Sequence, residues 1–465
     1  MDLFGTAGIR GDARTEVTPS LALQVGQAAA ADGEEFVLGR DGRVTGSALA
    51  AAMEAGLESG GADVRRVGVV PTPALAFASR GRRGVMLTAS HNPPHDNGIK
   101  VFHDGVEYAA DAEGRITDRV GRGTEPTSWD EWGTTESLDV LDDYRAAVAD
   151  FAAAQRVSPD HPTAEGRGDG GDRPLGGLSV AVDCGNGMGS LATPQVLRAL
   201  GAHVVTLNAS VDGYFPGRPS KPTPETVTDL RAFVADGAFA FGIAHDGDAD
   251  RIVIVDREGE VVHEDTVVAM LAEHYVRSTA APDPVVVTTP NASGRIDERV
   301  DAAGGRVERI RLGALHEGID AASRAGGDVV FAAEPWKHIH PAHGTWIDGV
   351  ASAAVIAMLV ADAGGLAPLR EPVVELPYRK LSVDCPDEAK RRVMTDLEGR
   401  LPEAFPEAAL DTEYGIRLEF DDGSWTLVRP SGTEPYVRVY AESADVDALA
   451  EPVAEMVREA VRETA

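Results

Sequence analysis

Short apolar, β-branched runs alternate with longer alanine-rich stretches along most of the chain. Strands are expected at "EEFVLG" (34–39), "RRVGVV" (65–70), "GVML" (84–87) and "LSVAVD" (178–183). Further strands are expected at "AFAFGIA" (238–244), "RIVIVD" (251–256), "PVVVTT" (284–289) and "DVVFAA" (328–333). Helices are expected between them, as at "TPSLALQVGQAAAA" (18–31) and "GSALAAAMEAGLESGG" (46–61). Strand, helix, strand in this order predicts α/β domains on mostly parallel or mixed sheets. The pattern breaks at "SPDHPTAEGRGDGGDRPLGG" (158–177), dense in Gly, Pro and Asp, which reads as a linker. A weaker break falls at "GGLAPLREP" (364–372). Beyond it, "DGSWTLVRPSGTEPYVRVYAE" (422–442) reads as two alternating strands around a tight loop, followed by a helix. That tail predicts a small α+β domain.

At 465 residues the chain has room for three or four domains, each with its own core. Lys and Arg number 43 against 75 Asp and Glu, a net charge of −32. Nucleic acid and anionic membranes are therefore not expected partners. Lysine stands only at positions 100, 221, 337, 380 and 390, so arginine carries nearly all the positive charge. Dense hydrated carboxylates with few lysines fit a salt-rich cytoplasm, where charge is screened, and suggest a halophilic protein. Cys184 and Cys385 are far apart, which indicates neither a disulfide framework nor a cysteine zinc cluster. The start "MDLFGTAGIRG" lacks a signal-peptide pattern, and no apolar stretch is long enough to span a bilayer. A globular cytoplasmic protein is expected.

Four short stretches carry chemistry. In "TASHNPPHDNGIKV" (88–101), Ser90 follows a strand directly, and Pro93 and Pro94 prevent a helix. Asn97-Gly98 is a turn signal, so Ile99 and Lys100 are expected to begin a return path. Ser90 would then sit at the carboxyl end of a strand, the ligand side of an open α/β sheet, with His91 and Lys100 nearby. A proline-rich turn with a helix-capping serine is the plain alternative. In "AHDGDADRIVIVD" (244–256), Asp246, Asp248 and Asp250 alternate after a strand. Fully extended they would lie about 6.6 Å apart per step. A single Mg²⁺, with oxygens at about 2.1 Å, requires the segment to curl, and Gly247 is expected to permit this. A calcium EF-hand fails because Arg251 and Arg257 stand where glycine and glutamate belong. A haloacid-dehalogenase-like phosphatase fits the "DGD" start but not Asp250 two places later, and a solvated acidic turn is the remaining alternative.

The third stretch, "VVFAAEPWKHIH" (329–340), places Glu334, Lys337, His338 and His340 after a strand, where a carboxylate can accept from neighbouring sugar hydroxyls. A surface loop around a buried Trp336 fits equally well. The fourth, "RPSGTEPYVRV" (429–439), offers Arg429 as a phosphate fork, with Ser431, Gly432 and Thr433 supplying hydroxyls and backbone N–H groups. Alone it would be an ordinary hairpin turn. "DCGNGMGS" (183–190) does not match a dinucleotide-binding glycine pattern and reads as a tight strand-to-helix connection.

The order of "FGTAGIRG" (4–11), "TASHNPP" (88–94), "DGDADR" (246–251), "EPWKH" (334–338) and "RPSGTEP" (429–435) resembles that of the α-D-phosphohexomutase superfamily. That family includes phosphomannomutase/phosphoglucomutase and phosphoglucosamine mutase. The resemblance implies three related α/β mixed-sheet domains plus a C-terminal α+β domain around a central cleft. On that scheme domain I spans 1–150, a linker 151–177, domain II 178–256, domain III 257–366 and domain IV 367–465. It further implies reversible 1-phosphate to 6-phosphate isomerisation of a hexose, through phosphorylated Ser90 and a bisphosphate intermediate. Asp246, Asp248 and Asp250 would hold Mg²⁺ together with an oxygen on Ser90. Arg10, His91, Lys100 and Arg251 would surround the transfer site, with Lys100 or His91 taking the hydroxyl proton. Glu334, Lys337 and His338 would read the sugar, and Arg429, Ser431, Gly432 and Thr433 would grip the phosphate that is not moving. A hexose 1,6-bisphosphate activator and a monomeric or homodimeric state are expected.

The chain departs from the family pattern at Pro335, Trp336 and Lys337, where relatives carry a small residue, a serine or asparagine, and a glycine. Ala314 likewise follows Gly313 where some relatives carry histidine. A phosphoglucosamine or phosphopentose substrate is the alternative within the family. A Mg²⁺-dependent phosphatase and a non-catalytic sugar-phosphate-binding protein are the alternatives outside it.

Overall fold

The protein is described by a computed structural model covering residues 3–5, 8–155, 173–431 and 434–464. It divides into two compact units, one of residues 1–267 and 330–371, the other of 268–329 and 372–465. Most of the linker expected at 158–177 lies outside the described residues. The helix Leu141–Ala154 continues four residues past the boundary expected at 150.

The first unit opens with a seven-stranded mixed sheet: β1 (Ile9–Asp12), β2 (Glu35–Arg40), β3 (Asp63–Val69), β4 (Arg83–Leu87), β5 (Asp96–His103), β6 (Val106–Glu107) and β7 (Thr135–Ser137). Its order is β1-β5-β4-β2-β3-β7, with β6 on β5. The inner strands β2 and β4 run parallel and are apolar throughout their middles, as strands buried on both faces must be. Helices Pro19–Ala30 and Gly46–Ser59 pack against each other, and Val25, Leu49, Met53 and Leu57 join Phe36, Leu38, Val85 and Leu87 in one core. Thr18 starts the first helix by accepting the Leu21 N–H at 3.2 Å, and Pro19 follows in the first turn.

Asn97-Gly98 is not a turn. Both residues lie inside β5, paired with Gly11 and Arg10 of β1, so the chain reverses earlier, through Pro93–His95. Gly98 is needed for closeness, since a Cβ there would stand 2.4 Å from the Thr88 carbonyl oxygen and 2.6 Å from that of Ile9. The Asn97 side chain bonds Thr45 at 3.0 Å instead of closing a hairpin.

A second sheet follows: β8 (Ser179–Asp183), β9 (His203–Leu207), β10 (Phe241–His245) and β11 (Ile252–Val255), in the order β11-β10-β8-β9. β10 is parallel to β8 and antiparallel to β11, which makes the Asp-rich stretch the connection between two antiparallel neighbours. "DCGNGMGS" forms the expected tight passage from β8 to the helix Thr193–Ala199.

In the second unit β12 (Pro284–Thr288) runs parallel to β13 (Arg306–Arg309). The hairpin of β14 (Asp328–Glu334) and β15 (Lys337–Ile339) brings the chain back to the first unit. The C-terminal part is a five-stranded antiparallel sheet of β16 (Tyr378–Asp384), β17 (Ala409–Asp411), β18 (Ile416–Glu419), β19 (Trp425–Pro430) and β20 (Tyr436–Glu442). Helices Asp387–Ala404 and Val446–Thr464 supply Val393, Leu397, Val453 and Val457 to the core it shares with Val428, Val437 and Val439. The eight strands read from the apolar pattern are all present. No helix among the described residues is long and apolar enough to cross a membrane.

His274, in the helix Glu264–Ser278, is 9% exposed, and burial lowers its pKa to about 4. Below the ordinary histidine pKa near 6.5 the unfolded chain takes a proton that the folded ring refuses, so stability is full above that pH and falls towards pH 4. One such histidine contributes a slope of about 1.4 kcal/mol per pH unit in that window. Urea unfolding between pH 7.5 and 4.5 should show a shallower loss for His274→Gln than for the wild type.

Candidate active site

The serine loop begins where β4 ends at Leu87. Thr88 Oγ1 accepts the Ser90 N–H at 2.8 Å and donates to Asp41 Oδ2 at 2.7 Å. Ser90 is held in the left-handed region, at φ 52°. The loop beyond it is stapled by one fully buried side chain, Arg43. Its Nη2 donates to the carbonyls of Ser90 (3.0 Å) and Asn92 (2.8 Å), and its Nη1 to those of Pro93 (2.5 Å) and Asp96 (2.9 Å). Nε pairs with Asp41 Oδ2 at 3.0 Å. Every guanidinium nitrogen is thus used, and two prolines remove donors that the loop could not satisfy.

The aspartate loop is braced just as closely. The His245 carbonyl, at the end of β10, accepts from Arg218 Nη2 at 2.6 Å, and Arg218 Nε pairs with Asp183 at 2.6 Å. The His245 ring closes the far side of the loop, with Nδ1 donating to the Arg251 carbonyl and Nε2 accepting from Thr193 Oγ1, each at 2.8 Å. Gly247 O accepts from Met188 N at 2.9 Å, and Thr72 binds Asp248 twice, by its N–H to the backbone oxygen (3.0 Å) and by its hydroxyl to Oδ2 (2.6 Å). The curl expected of Gly247 is made by Ala249 instead, whose φ is 62°. Gly247 answers a different need, because a Cβ there would lie 2.5 Å from the Ser90 carbonyl oxygen.

The curl brings a ligand oxygen from each of Asp246, Asp248 and Asp250 within 4.8 Å of the others. Their exposures are 1%, 0% and 1%, and Asp248 Oδ1 and Asp250 Oδ1 have no hydrogen-bond partner among the described residues. Buried hard oxygens with unfilled lone pairs fit a divalent cation such as Mg²⁺.

Serine loop and aspartate loop meet directly, with Ser90 Oγ donating to Asp246 Oδ2 at 2.6 Å and standing 3.4 Å from His91 Nδ1. Lys100, only 2% exposed, bridges Glu107 (2.9 Å) and Asp250 (3.3 Å). Arg251 Nε lies 3.9 Å from Asp246 and 3.8 Å from Asp250. Burial and then the charges of Asp250 and Asp248 raise the Asp246 pKa well above the carboxylate range. Burial pushes Asp250 the same way, but Lys100, Lys337 and Arg251 outweigh it and hold that carboxyl low. Lys100 is kept protonated: burial opposes its charge, and Glu107 and Asp250 prevail. The His91 pKa falls to about 2 through burial and the charges of Arg251 and Arg10, so its ring is neutral.

The β14–β15 hairpin borders this centre. Trp336, left-handed at φ 66°, accepts the Ile252 N–H on its carbonyl at 3.1 Å, and Lys337 bridges Arg251 backbone to backbone. Glu334 and Lys337, paired across the hairpin, are both half-buried. His338 is 1% exposed; its Nδ1 bonds Ser352 Oγ at 3.0 Å, Nε2 has no partner among the described residues, and burial lowers its pKa to about 3.

Arg429 and Ser431 lie in the second unit, at the end of β19. Arg429 Nη2 reaches the Tyr440 hydroxyl at 3.3 Å, while its Nε has no partner among the described residues. Gly432 and Thr433 lie outside the described residues. Lys390 pins both sides of this loop, donating to the carbonyls of Ser431 and Glu434 at 2.6 Å each.

Sequence reasoning missed Arg43, Asp41, Thr72, Glu107, Arg218 and Lys390. The first two had a signal, since "GRDGR" (39–43) puts three charged residues at a strand end. Thr72, Arg218 and Lys390 act through contacts distant in sequence, with no local pattern, and Glu107 meets Lys100 seven positions away with no motif to mark it.

Fold and site together define a phosphomutase, an enzyme that moves a phosphoryl group within its substrate. Phosphoglucomutase/phosphomannomutase domain models match in succession: alpha/beta/alpha domains I (1–127), II (172–259) and III (263–377), then the C-terminal domain (383–460). The chain belongs to the phosphoglucomutase/phosphomannomutase family of the α-D-phosphohexomutase superfamily. It is 41% identical to a phosphopentomutase of Thermococcus kodakarensis, over 95% of this chain and 94% of that one. It is 40% identical to a probable phosphoglucosamine mutase of Methanopyrus kandleri, over 99% and 98%. Among solved structures, a phosphoglucomutase/phosphomannomutase family protein of Burkholderia thailandensis superposes with a TM-score of 0.83 at 24% identity, covering 100% of this chain and 97% of that one. The open form of the Paramecium phosphoglucomutase pp63/parafusin gives 0.78 at 17% identity, covering 99% and 95%.

Arg43→Met would take away the cation paired with the buried Asp41 and leave four loop carbonyls without their donor. Loss of a buried ion-pair partner costs about 3–5 kcal/mol. Urea unfolding should show a loss of that size, and mutase activity should fall by at least about 100-fold because Ser90 loses its anchor.

Proposed function

We propose that the enzyme interconverts the 1-phosphate and 6-phosphate of a hexose, with Ser90 as the phosphoryl carrier. The observation that carries this reading is the 2.6 Å contact of Ser90 Oγ with Asp246, beside two carboxylate oxygens whose lone pairs are unfilled. Mg²⁺ held by Asp246, Asp248, Asp250 and an oxygen on phosphorylated Ser90 would neutralise charge on the group in transit.

The sugar hydroxyl oxygen attacks the phosphorus, the bond from phosphorus to Ser90 Oγ breaks with its electron pair staying on that oxygen, and the hydroxyl proton passes to a base that returns it to Ser90 Oγ. Lys100 is already protonated and contributes charge, together with Arg10 and Arg251. His91 is the base within reach. Its ring is neutral, its basicity depressed first by burial and then by the charges of Arg251 and Arg10, and a phosphoryl dianion on Ser90 would offset the part that comes from those charges. The resulting bisphosphate turns end for end, and Ser90 recovers the other phosphoryl group; a hexose 1,6-bisphosphate can therefore charge an idle enzyme. Arg429, Ser431, Gly432 and Thr433 grip whichever phosphate is at rest, while Glu334, Lys337 and His338 read sugar hydroxyls. The partner is a small phosphosugar, handled by a cytoplasmic monomer or homodimer without nucleic acid or membrane.

A second reading within the family has its own support. Trp336 and Lys337 add bulk where a small polar contact and a glycine are expected, and the Thermococcus kodakarensis relative is a phosphopentomutase.

A ³¹P NMR time course with Mg²⁺, KCl and trace bisphosphate, on glucose, mannose, glucosamine and ribose 1-phosphates in turn, should show one converted to its terminal phosphate. Ser90→Ala and chelation by EDTA should each abolish conversion while leaving the fold intact. Steady release of inorganic phosphate would favour a phosphatase instead, and tight binding without turnover a binding protein.

A further inference from the structure

We infer that Ser352 locks His338 into a single tautomer, with the proton on Nδ1, so that Nε2 presents a bare lone pair that only a hydrogen-bond donor can meet. Ser352 has one hydroxyl proton and three neighbours: the Asp348 carbonyl oxygen at 2.8 Å, His340 Nε2 at 2.8 Å and His338 Nδ1 at 3.0 Å. A carbonyl can only accept. If all three contacts are hydrogen bonds, the serine proton goes to Asp348 O, and both rings must donate N–H to the two lone pairs of Oγ. No other assignment satisfies the set. The burial of all four residues makes an unmade bond expensive.

Ser352 cannot drift to relieve this arrangement. It lies in the first turn of the helix Gly349–Ala363, whose cap, Asp348, accepts from Ala351 N (2.8 Å), Tyr144 Oη (2.9 Å) and Trp346 Nε1 (3.0 Å). The ring of Phe331, 5.7 Å from that of His338 and 5.5 Å from that of His340, supports both imidazoles. A neutral His338 with its proton on Nδ1 then holds an Nε2 that has no partner among the described residues, inside a chain segment that also carries Glu334 and Lys337. The lone pair accepts from a sugar hydroxyl and would repel a phosphate oxygen. Ser352 is therefore a positioning residue that dictates what His338 can select, and this role rests on the phosphosugar reading of the site.

Two measurements test it. Long-range ¹H–¹⁵N correlation of the full-length enzyme at pH 7.5, with His338 assigned through His338→Gln, should show a protonated Nδ1 and a bare Nε2. The opposite tautomer would overturn the inference whatever the enzyme's substrate proves to be. For activity, Ser352→Ala should raise KM for the preferred sugar 1-phosphate about tenfold, the worth of one hydrogen bond, with kcat changed less. Ser352→Thr, which restores the hydroxyl, should return KM towards the wild-type value and guards against a merely structural loss. An unchanged KM in Ser352→Ala, or a KM that stays raised in a folded Ser352→Thr, would reject the positioning role.

Discussion

Three carboxylates buried together, one of them in hydrogen-bond contact with a serine, are the constraint to which the surrounding structure answers. Like charges in a medium of low dielectric repel strongly, and an aspartate loop left to itself would open towards water. Here it is tied down on every side, by Arg218 and the His245 ring at its ends, Met188 at Gly247 and Thr72 at Asp248. The repulsion that remains appears as an Asp246 that resists ionisation and an Asp250 that depends on cations to stay charged. A site prepared in this way gains more from a divalent cation than one whose carboxylates have already spent their lone pairs on protein donors.

The serine loop is built on the complementary logic. Where the aspartate loop concentrates negative charge, the serine loop turns its carbonyls inward to one guanidinium and leaves the Ser90 hydroxyl facing the carboxylates. Arg43 makes this possible because its planar fork can satisfy several oxygens at fixed angles. Gly247 then allows the two loops to approach until a Cβ would no longer fit. The Ser90 hydroxyl is placed by the backbone geometry of its loop, which would suit the proposed role of carrying a phosphoryl group and releasing it.

Much of this was legible in the sequence. The strands were visible because buried strands of a mixed sheet are apolar without interruption, and the chemistry was visible because its residues cluster at strand ends. Ser90, the three aspartates and Lys100 do gather in one place. What could not be read was anything held across long separations. Thr72 and Asp248 are 176 positions apart, and nothing around Thr72 marks it. The Asn97-Gly98 pair misled for a related reason: its local preference is for a turn, but β1 and Thr88 lie so close to the chain there that only glycine fits a straight strand. Gly247 misled in the same way, its absent side chain serving proximity where conformational freedom was expected. The bulk of Trp336 and Lys337 was apparent from sequence, but their backbone union with the exit of the aspartate loop was not.

The five lysines of this arginine-rich chain are unevenly employed. Lys100 sits between two carboxylates and Lys390 between two carbonyls, positions that ask for a small, tetrahedral donor and would not admit a flat guanidinium without moving their neighbours. Lys221, by contrast, is exposed. Engineers who raise salt tolerance by exchanging lysine for arginine throughout a protein would find the recipe already nearly exhausted in this molecule. Carried to completion, it would disturb the packing around Asp250 and the loop that follows β19 while altering little of the surface it was meant to improve.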